Sequence, residues 1–178
     1  MFRKLSNDEL GRISAEEYKS AAKAPVAVVL DNVRSGHNVG SAFRTSDAFR
    51  IAKIWLCGIC ATPPSPEIHK TALGAEFSVA WEHCADAVEA VTRLHEEGWT
   101  VVGVEQAEKS TMLQDFKPEA GKRYAFVFGN EVSGVSQEVM DLCDIALEIP
   151  QEGTKHSLNV SVSVGIVLWD VKQKIQSI

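Results

Sequence analysis

The chain of 178 residues has no apolar run long enough to cross a bilayer. Its most hydrophobic stretch, Leu158 to Trp169, is interrupted by serines and falls short of the roughly 20 residues a spanning helix needs. No signal-peptide pattern opens the chain, so the expected setting is cytoplasmic, without a membrane partner. The G-x-x-x-x-G-K-[ST] phosphate loop and the G-x-G-x-x-G dinucleotide fingerprint are both missing. No His and carboxylate cluster has metal-ligand spacing, and no metal is expected. Cysteine is sparse, with four residues. Cys57 and Cys60 form a C-x-x-C pair, but neither Cys84 nor Cys143 supplies the second short-spaced pair that zinc requires. In apolar surroundings the pair reads as buried structural thiols. Excess positive charge is also lacking. A net charge of −6 does not favour nucleic-acid binding on bulk electrostatics, although local distribution matters more than the sum.

What is present is an ordinary globular composition, 45% hydrophobic and 24% charged, in a length that suits one domain. Residues Met1 to Ala24 read as a polar, helical lead-in, and residues 25–178 as the domain itself. Val26–Leu30, an apolar run without alternation, predicts a strand buried on both faces; Tyr124–Phe128 reads as another buried strand, and Ala52–Ile59, Thr100–Val104 and Ile145–Ile149 as further strands. Phe77–Trp81 is a further candidate strand, and Met112–Phe116 a short edge or connecting element. Between them, Ser41–Phe49, Glu67–Leu73, Cys84–Glu97 and Ser136–Leu142 read as helices. Strand–helix alternation implies an α/β fold with a mostly parallel sheet flanked by helices. The segment from Val160 to Val164 alternates as a strand would, yet its apolar character continues to Trp169, and periodicity leaves helix and strand open.

Ligands in open α/β sheets bind at loops after the carboxyl ends of strands. Three such loops here are rich in small and polar residues: Asp31–Arg44, Gly129–Gly134 and Gln151–Asn159. In the first, Asn38 reads either as a helix N-cap or as a site residue, and Arg44 either as a surface arginine or as a phosphate clamp. In the second, Glu131 reads as a helix cap or as a group orienting an arginine. In the third, Ser157 and Asn159 read as caps or as ligand-facing groups.

Together these loops resemble the SpoU family of RNA 2′-O-methyltransferases, in the SPOUT superfamily. The matching motifs are Asn38-Val-Gly-Ser-Ala-Phe-Arg44-Thr45, then Phe126-Val-Phe-Gly129-Asn130-Glu131 with Gly134, then Ile149-Pro150, Gly153 and Ser157-Leu-Asn159-Val-Ser161. The resemblance covers Pro25 to the C-terminus. It implies a deep C-terminal trefoil knot, over approximately Tyr124 to Asn159, which topology rules alone would argue against. It implies S-adenosylmethionine as cofactor, contacted by Gly129, Asn130, Ile149, Ser157 and Leu158, with Val104 and Glu105 flanking it. It also implies a homodimer with the C-terminal segment as an interface helix, Leu158 to Gln176.

The implied chemistry is methyl transfer to a ribose 2′-hydroxyl of RNA, an in-line displacement that needs alignment and proton removal. Arg44 would be the key catalytic arginine, held by Asn38 and Glu131, while Ser157 and Asn159 position the ribose. A guanidinium with a pKa above about 12 is a poor base, so gripping phosphate and polarising the hydroxyl is the preferred role. Basic groups for RNA are expected in the N-terminal segment and at Arg34, Arg44, Arg50 and Lys53. The short lead-in makes tRNA the expected substrate. Ribosomal RNA, or a binding-only RNA protein on the same fold, are the alternatives.

Overall fold

A computed structural model describes residues 1–178. Its core is a seven-stranded sheet in which every pairing is parallel. The strands are β1 (Ala24–Asp31), β2 (Ile51–Cys57), β3 (Trp81–Cys84), β4 (Thr100–Val104), β5 (Thr111–Met112), β6 (Tyr124–Phe128) and β7 (Ile145–Glu148). Their spatial order is β3-β2-β1-β6-β4-β7-β5. The helices are α1 (Ala15–Ser20), α2 (Gly36–Ala48), α3 (Pro66–Ala72), α4 (Ala87–Glu96), α5 (Gln137–Met140) and α6 (Val160–Gln176).

The unbroken apolar strands are explained by two cores, one on each face. Successive side chains of a strand point to opposite faces. Val26, Val28 and Leu30 of β1, with Tyr124, Phe126 and Phe128 of β6, enter the core shared with α2, α3 and α6. Ala27 and Val29, with Ala125 and Val127, enter the core covered by α4 and α5. The α4 helix therefore lies across the sheet from α2. The lead-in is only partly helical. Ser14 caps α1 through a capping box, and Tyr18 is buried in the first core, where its hydroxyl donates to the Ser46 carbonyl at 3.4 Å.

Several boundaries differ from expectation. The α2 helix begins at Gly36, five residues before the apolar pattern starts, because Ser35 is its N-cap and accepts from the Asn38 N–H. Asn38 therefore sits inside the first turn and is not the cap. The stretch Phe77–Trp81 is not a strand: a 3-10 turn covers Ala75–Phe77, and β3 starts at Trp81. Cys84 ends that strand, and α4 starts after its Asp86 cap. Cys57 and Cys60 are free and buried. Burial pushes both thiols up, Cys60 to about 11, and the Cys60 sulfur sits between the Val33 N–H and the Leu30 carbonyl.

The C-terminal segment is helix. Val160, Val164, Val167, Leu168 and Val171 are buried at helical spacing against the core. Val162, Ile166 and Trp169 share another stripe and are 48%, 36% and 57% exposed. Two apolar stripes on one helix produce the alternation that resembled a strand.

Close packing of α2 on α3 depends on Gly40, the glycine of the first motif. A Cβ there would run into the Thr71 hydroxyl and the Ile68 carbonyl. Gly40→Ala is expected to lower stability by about 1–3 kcal/mol through overpacking, read as a shift of the urea midpoint.

Candidate active site

Three chain segments leave the C-terminal edge of the sheet side by side. They run from β1 into α2, from β6 into α5, and from β7 into α6. Glu131, on the second, ties itself to the first. One carboxylate oxygen accepts from the Arg34 N–H at 2.9 Å. The other accepts from the Ser35 N–H at 3.1 Å and the Asn38 amide at 2.9 Å. The neighbouring Asn130 amide donates to the Asn32 carbonyl at 2.7 Å. From the third segment, the Asn159 amide donates to the Asn38 side-chain oxygen at 3.3 Å, while its own oxygen caps α6 through the Ser161 N–H. The three segments thus meet at Asn38.

Behind this junction lies a cavity of about 620 Å³. Such a volume is within the roughly 300–1,000 Å³ of small-molecule sites. Val104, Glu105, Gly129, Asn130, Glu131, Ile149, Ser157, Leu158 and Asn159 all line it. One wall is the turn from Gly129 to Val135, closed by reciprocal backbone bonds between Asn130 and Gly134. A Cβ on Gly129 would lie 2.0 Å from both the Gly134 carbonyl carbon and the Val135 nitrogen, well inside contact distance. Only a residue without a side chain lets that turn fold back on the end of β6.

Comparison with known proteins gives the family. The sequence profile of the SpoU rRNA Methylase family matches residues 25–169. The chain belongs to that family. Among SpoU-related proteins, it is 27% identical over 156 residues to the 23S rRNA (guanosine-2′-O-)-methyltransferase RlmB of Neisseria meningitidis serogroup B. That alignment covers 88% of this chain and 61% of the relative. The chain spans about three fifths of the length of the curated relatives it matches. The solved structure of the A. aeolicus TrmH/SpoU tRNA modifying enzyme superposes with a TM-score of 0.79 at 25% identity, covering 92% of this chain and 81% of that one. An AdoMet-bound rRNA methyltransferase from Sinorhizobium meliloti gives 0.79 at 26%, covering 88% and 59%.

The SpoU motifs thereby acquire physical roles, and some expectations need correction. Glu131 and Asn38 do not hold Arg44. Both are spent on one another, on the first turn of α2 and on Asn159. Arg44 is exposed farther along α2 and is not among the residues that line the cavity. Lys53 is not an open RNA contact. It pairs with Glu82 at 2.6 Å and lies over the Trp55 ring, near the start of β2. Arg50 precedes β2, so in a parallel sheet both residues sit at the edge opposite the cavity. Arg34 is exposed beside Glu131, its backbone already engaged.

The cavity also includes Gln106, Val132, Ser133 and His156, which the motif reading did not name. Gln106 directly follows Glu105, and its amide donates to the His156 carbonyl at 2.5 Å. Val132 is 84% exposed at the tip of the turn, a large apolar side chain left open to a ligand. Position alone was the available signal: each neighbours a residue already singled out.

Burial would raise the pKa of Glu131, but the N–H groups of Arg34 and Ser35 and the Asn38 amide outweigh it and hold the carboxyl below its ordinary value of 4.5. A depressed carboxyl stabilises the fold above its unfolded pKa, and that contribution is lost as pH falls through the folded value. The melting-temperature gap between the wild type and Glu131→Gln should therefore be constant above about pH 6 and shrink in acid. Thermal melts across pH 3–7 (roughly the carboxylate titration range) check this.

Proposed function

We propose that this protein transfers a methyl group from S-adenosylmethionine to a ribose 2′-hydroxyl of RNA. The observation that carries the reading is the junction at Asn38, which sets a helix start and a glycine-built cavity side by side. The cavity suits the cofactor. Ile149, Leu158 and Val132 offer apolar surface for the adenine, and the turn after Gly129 presents main-chain groups to the ribose and amino-acid parts. When bound, the cofactor supplies an electrophilic methyl group. The chain's own task is then to align a 2′-oxygen with that methyl and let its proton leave. Ser157 and Asn159, at the mouth beside Asn38, are placed to meet the ribose.

Arg44 is the group this site needs from elsewhere. Its exposure on α2, a helix that packs against α6, together with the exposed α6 stripe of Val162, Ile166 and Trp169, supports a homodimer formed through these helices. The second copy's Arg44 then faces the first copy's cavity. There it grips the nucleotide's phosphate and polarises the hydroxyl, with the proton passing to phosphate or water. The trefoil knot over Tyr124 to Asn159 belongs to the same proposal. Its support is the path of the chain, which goes from β6 over β4 to β7 and returns to Asn38 at the β1 side.

RNA in the cytoplasm is the substrate, with tRNA favoured. The A. aeolicus structure that aligns over most of both chains is described as a tRNA modifying enzyme. Ribosomal RNA is the second reading, since the Neisseria relative is named for 23S rRNA. Labelled S-adenosylmethionine incubated with fractionated RNA decides between them. The expected result is label in tRNA, recovered as a 2′-O-methylnucleoside after digestion. Label on a base, or none in any RNA, overturns the reading.

Arg44→Ala should abolish methylation while the affinity for S-adenosylhomocysteine, by calorimetry, stays nearly unchanged. Mixing it with Gly129→Val chains should restore activity, because each heterodimer holds one intact site. Absence of restoration would place Arg44 in its own chain's site.

Trp169→Glu should convert the dimer to monomer in sedimentation analysis, by burying an unpaired charge in the interface.

A further inference from the structure

The turn after β6 is held by more than its own backbone. In the sheet, β6 lies between β1 and β4, and a carboxylate stands at the end of β1 and another just past the end of β4. Asp31, the last residue of β1, accepts from the Ser136 N–H at 3.0 Å. Glu105, directly after β4, accepts from the Val135 N–H at 3.1 Å and from the Gln106 N–H at 2.8 Å. Two consecutive amides on the returning chain are thus taken from opposite sides, one by each flanking strand. Asp31 is 2% exposed, and its other oxygen accepts from the Asn32 amide at 2.8 Å. A carboxylate this buried is costly unless its hydrogen bonds are made. Asp31 does not reach the cavity, so ligand contact does not account for it.

We infer that Asp31 is a positioning residue, which with Glu105 clamps the Val135–Ser136 amides and so sets the Gly129–Gly134 wall of the cavity. The inference rests on the cofactor reading for its consequence, but the clamp itself does not. Without Asp31 the part-buried Ser136 amide loses its charged partner, and the chain entering α5 is no longer held against the end of β1. The wall it anchors then loses its fixed shape, and any ligand pays to restore it. Because Asn32, the next residue, accepts from Asn130, loosening here also reaches the junction with α2.

The test compares Asp31→Ala, Asp31→Asn and wild type, each at a temperature well below its melting point. Two readouts are taken: amide hydrogen exchange at Val135 and Ser136, and S-adenosylhomocysteine affinity by calorimetry. Asp31→Ala should accelerate exchange at both amides and weaken affinity by about tenfold, the size expected for losing one hydrogen bond to a charged group. Asp31→Asn keeps an acceptor oxygen and should fall between the two. An alanine variant that melts earlier yet keeps wild-type exchange and affinity would reduce Asp31 to a general stabiliser and overturn the inference. If the wild type itself fails to bind S-adenosylhomocysteine, the cofactor reading fails. The exchange data then judge the clamp separately.

Discussion

The structure of the site depends on one carboxylate. Glu131 lies 93 residues from Asn38 in sequence, yet it accepts hydrogen bonds from that amide and from two main-chain N–H groups just before α2. The first turn of a helix has unpaired donors and a partial positive charge, so an anion there is doubly favoured. Its consequence is positional. With Asn38 fixed by Glu131, Asn159 can meet Asn38, and the start of α6 is set against the start of α2. Elements from the beginning, middle and end of the chain converge at this junction through hydrogen bonds.

The parallel sheet makes this convergence possible. All seven strands point the same way, so every loop following a strand emerges at one edge. The central position of β6 brings its turn between the loops after β1 and β4. The helix α6, buried along one stripe and exposed along another, then covers one core while leaving an apolar surface. An apolar stripe left exposed on a helix, with Arg44 unengaged on the neighbouring α2, is the surface on which the proposed homodimer rests.

Much of this was legible in the residues. The bounds of β4 and β6 coincide with the apolar runs, because strands buried on both faces have no polar alternation to blur them. The three polar loops, legible from their small and polar composition, are the ones the structure brings together at Asn38. The start of α2 was not legible, because Gly36, His37 and Asn38 have turn-like composition and the stabilising anion comes from Glu131, far away in sequence. The third strand was misplaced for a similar reason: β3 is a short strand paired only with β2, and its pattern is too brief to outweigh a turn. Asn38 and Arg44 are near in the motif but not in space, so Glu131 reaches Asn38 without reaching Arg44. Six residues along a helix place a side chain on a different face. The pairing of Lys53 was not legible because its partners, Glu82 and Trp55, are assembled by the sheet and the strand itself rather than by charge pattern.

The central claim is that the three loops enclose one adenosyl-binding cavity beside Asn38. A crystal structure with S-adenosylhomocysteine tests it most directly. The account predicts density for the ligand in the cavity, enclosed by Gly129, Ile149 and Leu158, with its sulfur toward Asn38 and Asn159. Ligand bound at any other place, or a cavity that stays empty at saturating concentration, would contradict it.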